Sequence, residues 1–310
     1  MAEPAVICLM GATATGKTEL ALEIADRFAV EIVSVDSAQV YRGLDIGTAK
    51  PSPEILRAVP HHLVDIVDPA ESFSAWNFVQ QCLELVREIA LRGRTPLLAG
   101  GTMMYFHAFE SGLNRLPEAD PELRRRLDRE ARESGWTAMH ARLAEIDAAS
   151  AERIKPADSQ RIQRALEVYE ITGEPLSGLQ RRETAGYRGL IEKIILAADD
   201  RAALHRRIES RFLEMLEHGF VDEVEVLKRR GDLDLSLPSM RSVGYRQIWK
   251  YLDGEFSRAE MVDRAVAATR QLAKRQLTWL RKQPDELAFD CLNYRKDAIF
   301  RRVEAAVSRP

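Results

Sequence analysis

The first hundred residues alternate between two hydrophobic periods. Val6-Ile7-Cys8-Leu9-Met10 is an unbroken apolar run ending in glycine, which predicts a buried strand. Leu20, Ala21, Ile24 and Phe28 follow at helical spacing. Glu31-Ile32-Val33-Ser34-Val35 is a second β-rich run, stopped by Asp36. A helix is predicted over residues 75–91, before Gly93, and Pro96-Leu97-Leu98-Ala99 reads as a third strand ended by Gly100-Gly101. Buried strands separated by helices predict a parallel sheet covered by helices.

The pattern then changes. From Asp120 to Arg182 strand signals are nearly absent. Pro121 marks a helix start, with Leu123, Leu127 and Ala131 at spacing four. Ser159 or Asp158 can cap a helix over 160–172, closed by Gly173. This predicts a small all-α domain, residues 119–188, inserted in an α/β core made of residues 1–118 and 189–310. Ile194-Ile195-Leu196-Ala197 resembles a strand returning to the sheet, and the remainder reads as mostly helical. A long helix is predicted from about Arg258 to Arg281, before Pro284. No internal repeat is visible.

Composition removes several classes. The 310 residues are 45% hydrophobic and 30% charged, with 17 Gly and 13 Pro, which excludes disordered and collagen-like chains. Cys8, Cys82 and Cys291 form no C-x-x-C pair, so reduced thiols in a cytoplasmic protein are expected instead of disulfides or structural zinc. No apolar stretch is long enough for a membrane span, and the N-terminus has no basic region typical of a signal peptide. The net charge of −3 hides a gradient: residues 241–282 hold 10 basic and 4 acidic side chains. A local field of that sign can hold a polyanion on a mildly acidic protein.

The chemistry begins at Gly11-Ala12-Thr13-Ala14-Thr15-Gly16-Lys17-Thr18, which fits G-x-x-x-x-G-K-[ST] between a strand and a helix. Glycines let backbone N–H groups converge, the helix N-terminus adds positive charge, Lys17 supplies a mobile cation, and the Thr18 hydroxyl can ligate Mg²⁺. A di- or triphosphate is the expected ligand. Asp36 ends the second strand, expected beside the first at the carboxyl edge of the sheet, where it could hold metal through water, take a proton or simply cap a turn. Six basic residues between Arg264 and Lys282, with no acid among them, fall within an arc of roughly 140° on one helix face. Arg161 and Arg164 form a second basic pair. Concentrated Lys and Arg suit phosphate contacts, although a charge run is often only a solvated face. His61-His62 has no third ligand at useful spacing and is assigned no role.

Several segments together resemble the tRNA dimethylallyltransferase family. They are Gly11 to Thr18, Ser34-Val35-Asp36-Ser37-Ala38-Gln39-Val40-Tyr41, Asp45-Ile46-Gly47-Thr48-Ala49-Lys50-Pro51 and Gly100-Gly101-Thr102-Met103-Met104-Tyr105. Gln160 to Val168, Arg241 to Arg246 and Thr269 to Arg281 complete the set, in family order over nearly the whole chain. The resemblance is to the bacterial form, and no counterpart of the zinc finger of eukaryotic relatives is expected from three scattered cysteines.

The resemblance implies a P-loop NTPase-like fold and transfer of the dimethylallyl group of dimethylallyl diphosphate to N6 of adenosine 37, in tRNAs reading codons that begin with U. Residues 11–18 would grip the diphosphate leaving group with Mg²⁺, Asp36 would take the N6 proton, and Thr102 would orient the diphosphate or the base. Arg211 matches the family arginine that clamps the diphosphate. Asp36, Ser37, Ala38 and Gln39 would receive the flipped adenine. Contacts to the anticodon arm are implied for Arg124, Gln160, Arg161, Ile162, Gln163 and Arg164, and for Arg241, Ser242, Val243, Gly244, Tyr245 and Arg246. Lys274, Arg275, Gln276, Thr278, Trp279 and Arg281 would add further contacts, in a monomer with a mobile helical clamp. Rival readings are a small-molecule P-loop kinase, an adenylate isopentenyltransferase, and an RNA-binding switch that uses nucleotide only as a signal. Neither of the first two needs the basic elements.

Overall fold

The computed structural model describes residues 3–182 and 184–308. Its elements run in chain order. The first part holds β1 (Val6–Gly11), α1 (Lys17–Arg27), β2 (Val30–Val35), α2 (Pro53–Ala58), β3 (His61–His62), α3 (Ala75–Leu91), β4 (Thr95–Gly100) and α4 (Met103–Ser111). Five helices follow: α5 (Pro121–Ser134), α6 (Trp136–Ile146), α7 (Ala148–Arg153), α8 (Ser159–Thr172) and α9 (Leu176–Gln180). Then come β5 (Ile191–Ala197), α10 (Arg201–Glu217), α11 (Phe220–Arg229), α12 (Tyr245–Leu252), α13 (Arg258–Leu280), β6 (Ala288–Asp290) and α14 (Lys296–Val307).

The chain divides into two compact units, residues 111–186 and the remainder. The larger unit is built on one six-stranded sheet in the order β3-β2-β4-β1-β5-β6, every pairing parallel. This corrects one expectation. β4, not β2, lies beside β1, with Met10 opposite Gly100, and β4 in turn pairs Gly100 with Val35 of β2. Crossover connections decide strand neighbours in a parallel sheet, so order along the chain is a poor guide. A Cβ on Gly100 would lie 2.1 Å from the Val35 carbonyl oxygen, so β2 and β4 close together only over glycine.

β1 is buried on both faces. Ile7 and Leu9 point into a core with Leu20 and Ile24 of α1, Leu97 of β4 and Leu196 of β5. Ile299, Phe300 and Val303 of α14 complete it, so the last residues, unassigned from sequence, are part of the main core. β6 was also missed: it is three residues long, too short for a period to show. His61 and His62, assigned no role from sequence, form the short edge strand β3. His62 sits 2.7 Å from the buried Glu31, which also takes two hydrogen bonds from Arg92 at 3.0 and 2.8 Å.

The smaller unit is all helical around Leu127, Met139, Leu143, Ile162, Leu166 and Val168. The Asp158 side chain caps α8 by accepting from Arg161 N, and Gly173 ends the helix in the left-handed region at φ 72°. Glu167 is fully buried there. It accepts from Arg124 at 2.8 and 3.0 Å, from Arg164 at 2.5 Å and from Asp120 N at 2.9 Å. Burial pushes its carboxyl up, but the two guanidinium groups outweigh that and hold it below the usual range.

Candidate active site

The P-loop is the turn between β1 and α1. Its curl depends on two left-handed residues, Ala14 at φ 63° and Gly16 at φ 83°. A Cβ on Gly11 would meet Thr15 Oγ1 at 2.8 Å and the Leu196 carbonyl at 3.1 Å. Within the loop, Thr15 Oγ1 donates to Ala12 O at 2.8 Å and Lys17 Nζ donates to the same carbonyl at 2.5 Å. Arg211 of α10 reaches over the loop, its Nη1 3.4 Å from Thr13 Oγ1. Lys17 and Arg211 both line the same cavity. Burial, then the neighbouring Arg211, pull the Lys17 ammonium down to about 8, against a smaller opposing pull from Asp36. Burial lowers the Arg211 guanidinium too. A site that holds two destabilised cations is prepared for an anion.

Gln276 of α13 joins the loop to the end of β4. Its Oε1 accepts from Thr13 N at 2.9 Å and its Nε2 donates to Gly101 O at 2.8 Å. The side chain therefore braces the loop against the end of β4 and also lines the cavity described below. Gly101 leaves room for it, since a Cβ there would lie 2.6 Å from Gln276 Nε2.

Beyond β4, the turn after β2 carries Asp36. Its Oδ1 accepts from Ala38 N at 2.8 Å and Gln39 N at 3.3 Å, which fixes the carboxylate at the head of the turn. Oδ2 accepts no hydrogen bond among the described residues. Thr102 Oγ1 accepts from Ser37 N at 3.1 Å and lies 3.4 Å from Ser37 Oγ, so Thr102 braces the Asp36 turn from the neighbouring strand. The Gln39 amide is consumed internally. It accepts from Ser34 Oγ at 2.9 Å and donates to Thr48 O and Ala49 O at 3.2 and 3.3 Å. It is a strut for the 45–50 loop.

All these groups face one cavity of about 600 Å³, whose lining includes Lys17, Thr18, Asp36, Thr102, Arg211 and Arg241. Its apolar wall includes Ile208, Phe212, Met215 and Phe220. The cationic face of α13 borders it through Arg275 and Trp279. Lys274, Arg275, Thr278 and Arg281 are exposed, as are Arg241 and Arg246 of the following segment. Three of the six cations between Arg264 and Lys282 are already engaged: Arg264 stacks 4.3 Å from the Phe256 ring centre, Arg270 pairs with Glu209 at 2.8 Å and Lys282 Nζ lies 5.6 Å from the Trp279 ring centre.

Two other residues of the expected RNA set are buried. Tyr245 lines the cavity but is fully buried, and its hydroxyl donates to Glu223 at 2.5 Å. Ile162, in the helical unit, is fully buried in that unit's core and offers no surface. Among its neighbours, Gln160 and Arg161 are exposed. Gln163 bonds Asp128 at 2.7 Å, while Arg124 and Arg164 hold Glu167.

The Mg²⁺ expectation can be tested on the donor set. Thr18, in the first turn of α1, supplies a hydroxyl and Asp36 a carboxylate oxygen. No group of three or more His, Cys, Asp or Glu among the described residues could hold a metal alone. Such a set fits Mg²⁺, which is commonly held by one or two protein oxygens plus phosphates and water, and does not fit a protein-caged metal.

Comparison with known proteins decides the family. The IPP transferase family model matches residues 39–283, and that of isopentenyl transferase matches residues 4–65. The chain belongs to the tRNA dimethylallyltransferase family. Proteins of that name from Burkholderia mallei (strain SAVP1) and Burkholderia thailandensis are each 57% identical over 304 residues, covering 97% of this chain and 93% of theirs. A tRNA isopentenylpyrophosphate transferase from Bacillus halodurans superimposes with a TM-score of 0.68 at 36% identity, covering 98% of both chains. A eukaryotic dimethylallyltransferase solved acting on tRNA gives 0.72 at 25% identity, covering 89% of this chain and 70% of that one. The chain is thus a prenyltransferase.

Proposed function

We propose that this enzyme transfers the dimethylallyl group from dimethylallyl diphosphate to N6 of adenosine 37 in tRNAs reading codons that begin with U. The observation that carries the reading is the single cavity faced by the Lys17–Arg211 cation pair and by Asp36. The allylic diphosphate sits with its charge on residues 11–18 and Arg211, and its apolar group against the Phe212–Phe220 wall. The N6 lone pair forms a bond to the allylic carbon as the carbon–oxygen bond breaks, and the electron pair leaves with the diphosphate. Charge grows on that oxygen in the transition state, where the backbone N–H groups, Lys17 and Arg211 stabilise it most. The N6 proton passes to Asp36, whose Oδ2 is open. Thr102 keeps the Asp36 turn in place. The Thr18 hydroxyl would help hold Mg²⁺, which would supply positive charge to offset that of the leaving group.

Adenosine 37 must leave its stack to reach this cavity. The exposed cations of 241–246 and 274–281 suit the phosphates of an anticodon arm. In the helical unit, which we take to be the RNA clamp, Gln160 and Arg161 are exposed, the latter paired with Asp158 at 3.3 Å. Among the described residues no helix is long and apolar enough to cross a membrane. We place the enzyme in the cytoplasm, acting as a monomer.

The test is label transfer from dimethylallyl diphosphate to unmodified tRNA, with AMP and ATP reactions alongside. Label on adenosine 37 is expected. Asp36→Asn should lower kcat about a hundredfold or more while diphosphate binding persists. Label on AMP instead, or ATP turnover without transfer, would overturn the reading in favour of an adenylate isopentenyltransferase or a kinase.

A further inference from the structure

Glu223 of α11 lies outside the segments that carried the resemblance, yet its carboxylate is saturated. Oε2 accepts from Asp45 N at 3.1 Å and Ile46 N at 2.6 Å. Oε1 accepts from Gly47 N at 3.3 Å and from the Tyr245 hydroxyl at 2.5 Å. A carboxylate offers about four lone-pair sites, and all four are filled. The donors come from two segments far apart in sequence, the 45–47 loop and the start of α12. Gly47, Thr48, Ala49 and Tyr245 all line the cavity. The approach is possible because Gly47 has no side chain: a Cβ there would lie 2.1 Å from the Phe220 ring and 2.6 Å from that of Tyr245.

The loop held by Glu223 connects onward to Asp36. Thr48 O and Ala49 O accept from the Gln39 amide, and Gln39 N donates to Asp36 Oδ1. Lys50, nearly buried, ties the far end of the loop to Tyr41 O at 2.9 Å, Asp45 at 2.5 Å and Asp65. No hydrogen bond among the described residues runs from Glu223 to residues 11–18 or Arg211.

We propose that Glu223 is a positioning residue for the acceptor half of the site. It pins the 45–47 backbone to Tyr245 and, through Gln39, sets the place of the Asp36 carboxylate, without touching either substrate. This rests on the reading of the cavity as a tRNA prenyl-transfer site. Glu223→Gln keeps the size but presents N–H groups to N–H donors.

With unmodified tRNA, Glu223→Gln should lower kcat/KM for tRNA about ten- to a hundredfold, the scale of a small misplacement of reacting groups. KM for dimethylallyl diphosphate should change less than about twofold, since uniform binding of that substrate is untouched. Tyr245→Phe, which removes one donor of four, should give a smaller fall in the same direction. Amide hydrogen exchange should quicken at 45–49 in both variants and stay slow at 11–18. Equal losses for both substrates, or no loss, would overturn the proposal. If Glu223→Gln does not fold, Tyr245→Phe decides by the same two readouts. If the wild-type enzyme prenylates no tRNA, the reading of the reaction fails; unchanged exchange at 45–49 in the variants would separately overturn the pinning, and quickened exchange there would uphold it.

Discussion

Lys17 provides the sharpest quantitative expectation. Without ligand its ammonium is held at about 8 in place of 10.5, by burial and by Arg211. That difference corresponds to about 3 kcal/mol of strain on the charged form. A bound diphosphate places anionic oxygens beside the ammonium and removes the strain, returning the group toward its ordinary range. Between about pH 8 and 10 the complex therefore binds a proton that the free protein has lost. The sign follows: affinity falls as pH rises through about 8, and relief of the full strain is on the order of a hundredfold in affinity. The assay is calorimetric titration of inorganic diphosphate at pH 7 to 9.5 in buffers of different ionisation enthalpy, comparing wild type with Lys17→Met. The ligand's own titration is common to both. Wild type should take up about 0.9 proton more than Lys17→Met at pH 9, where a free lysine of this kind is only about one-tenth charged. Equal uptake in the two proteins would refute the argument that the empty site strains its cations.

Three further outcomes test the fold and the surface. Gly100→Ala should lower unfolding free energy by at least about 2 kcal/mol in urea titration, because its Cβ would fall 2.1 Å from the Val35 carbonyl oxygen, a backbone atom that cannot swing away. Ile299→Ala in α14 should cost about 3 kcal/mol by the same measurement, since this fully buried side chain helps fill the main core. Lys274→Ala and Arg281→Ala should each reduce the slope of log affinity for tRNA against log salt by about 1, with diphosphate affinity unchanged; an unchanged slope would mean that these exposed cations make no phosphate contact.

Local pattern reached far into this molecule. The helix predicted over 75–91 is α3 itself, and the long basic helix from Arg258 is α13 to within a residue. The P-loop was legible because its function needs backbone geometry, and that geometry needs glycine at fixed spacing. The basic face of α13 was legible too, but not its division of labour. Arg270 and Gln276 are spent on internal partners while Lys274 and Arg281 stay open, and nothing in their spacing separates the two groups. Arg124 and Arg164 show the same limit. They read as cations for RNA, and the fold gives them a buried carboxylate instead. Glu223 left no signal at all, as one acid among several on an amphipathic surface helix.

The sequence by itself determined what is encoded in neighbours along the chain: the strand–loop–helix that cradles phosphate, the periods of the core helices, their caps and the concentration of positive charge. Only the tertiary structure decided which strand stands beside the P-loop, that Thr102 braces the Asp36 turn, and that the Gln39 and Gln276 amides have internal partners. The reason is physical. Helix periods, caps and glycine turns are set by interactions within a few residues, whereas strand order and the partner of a side-chain amide depend on crossovers that bring residues such as Thr13 and Gln276 together across most of the chain.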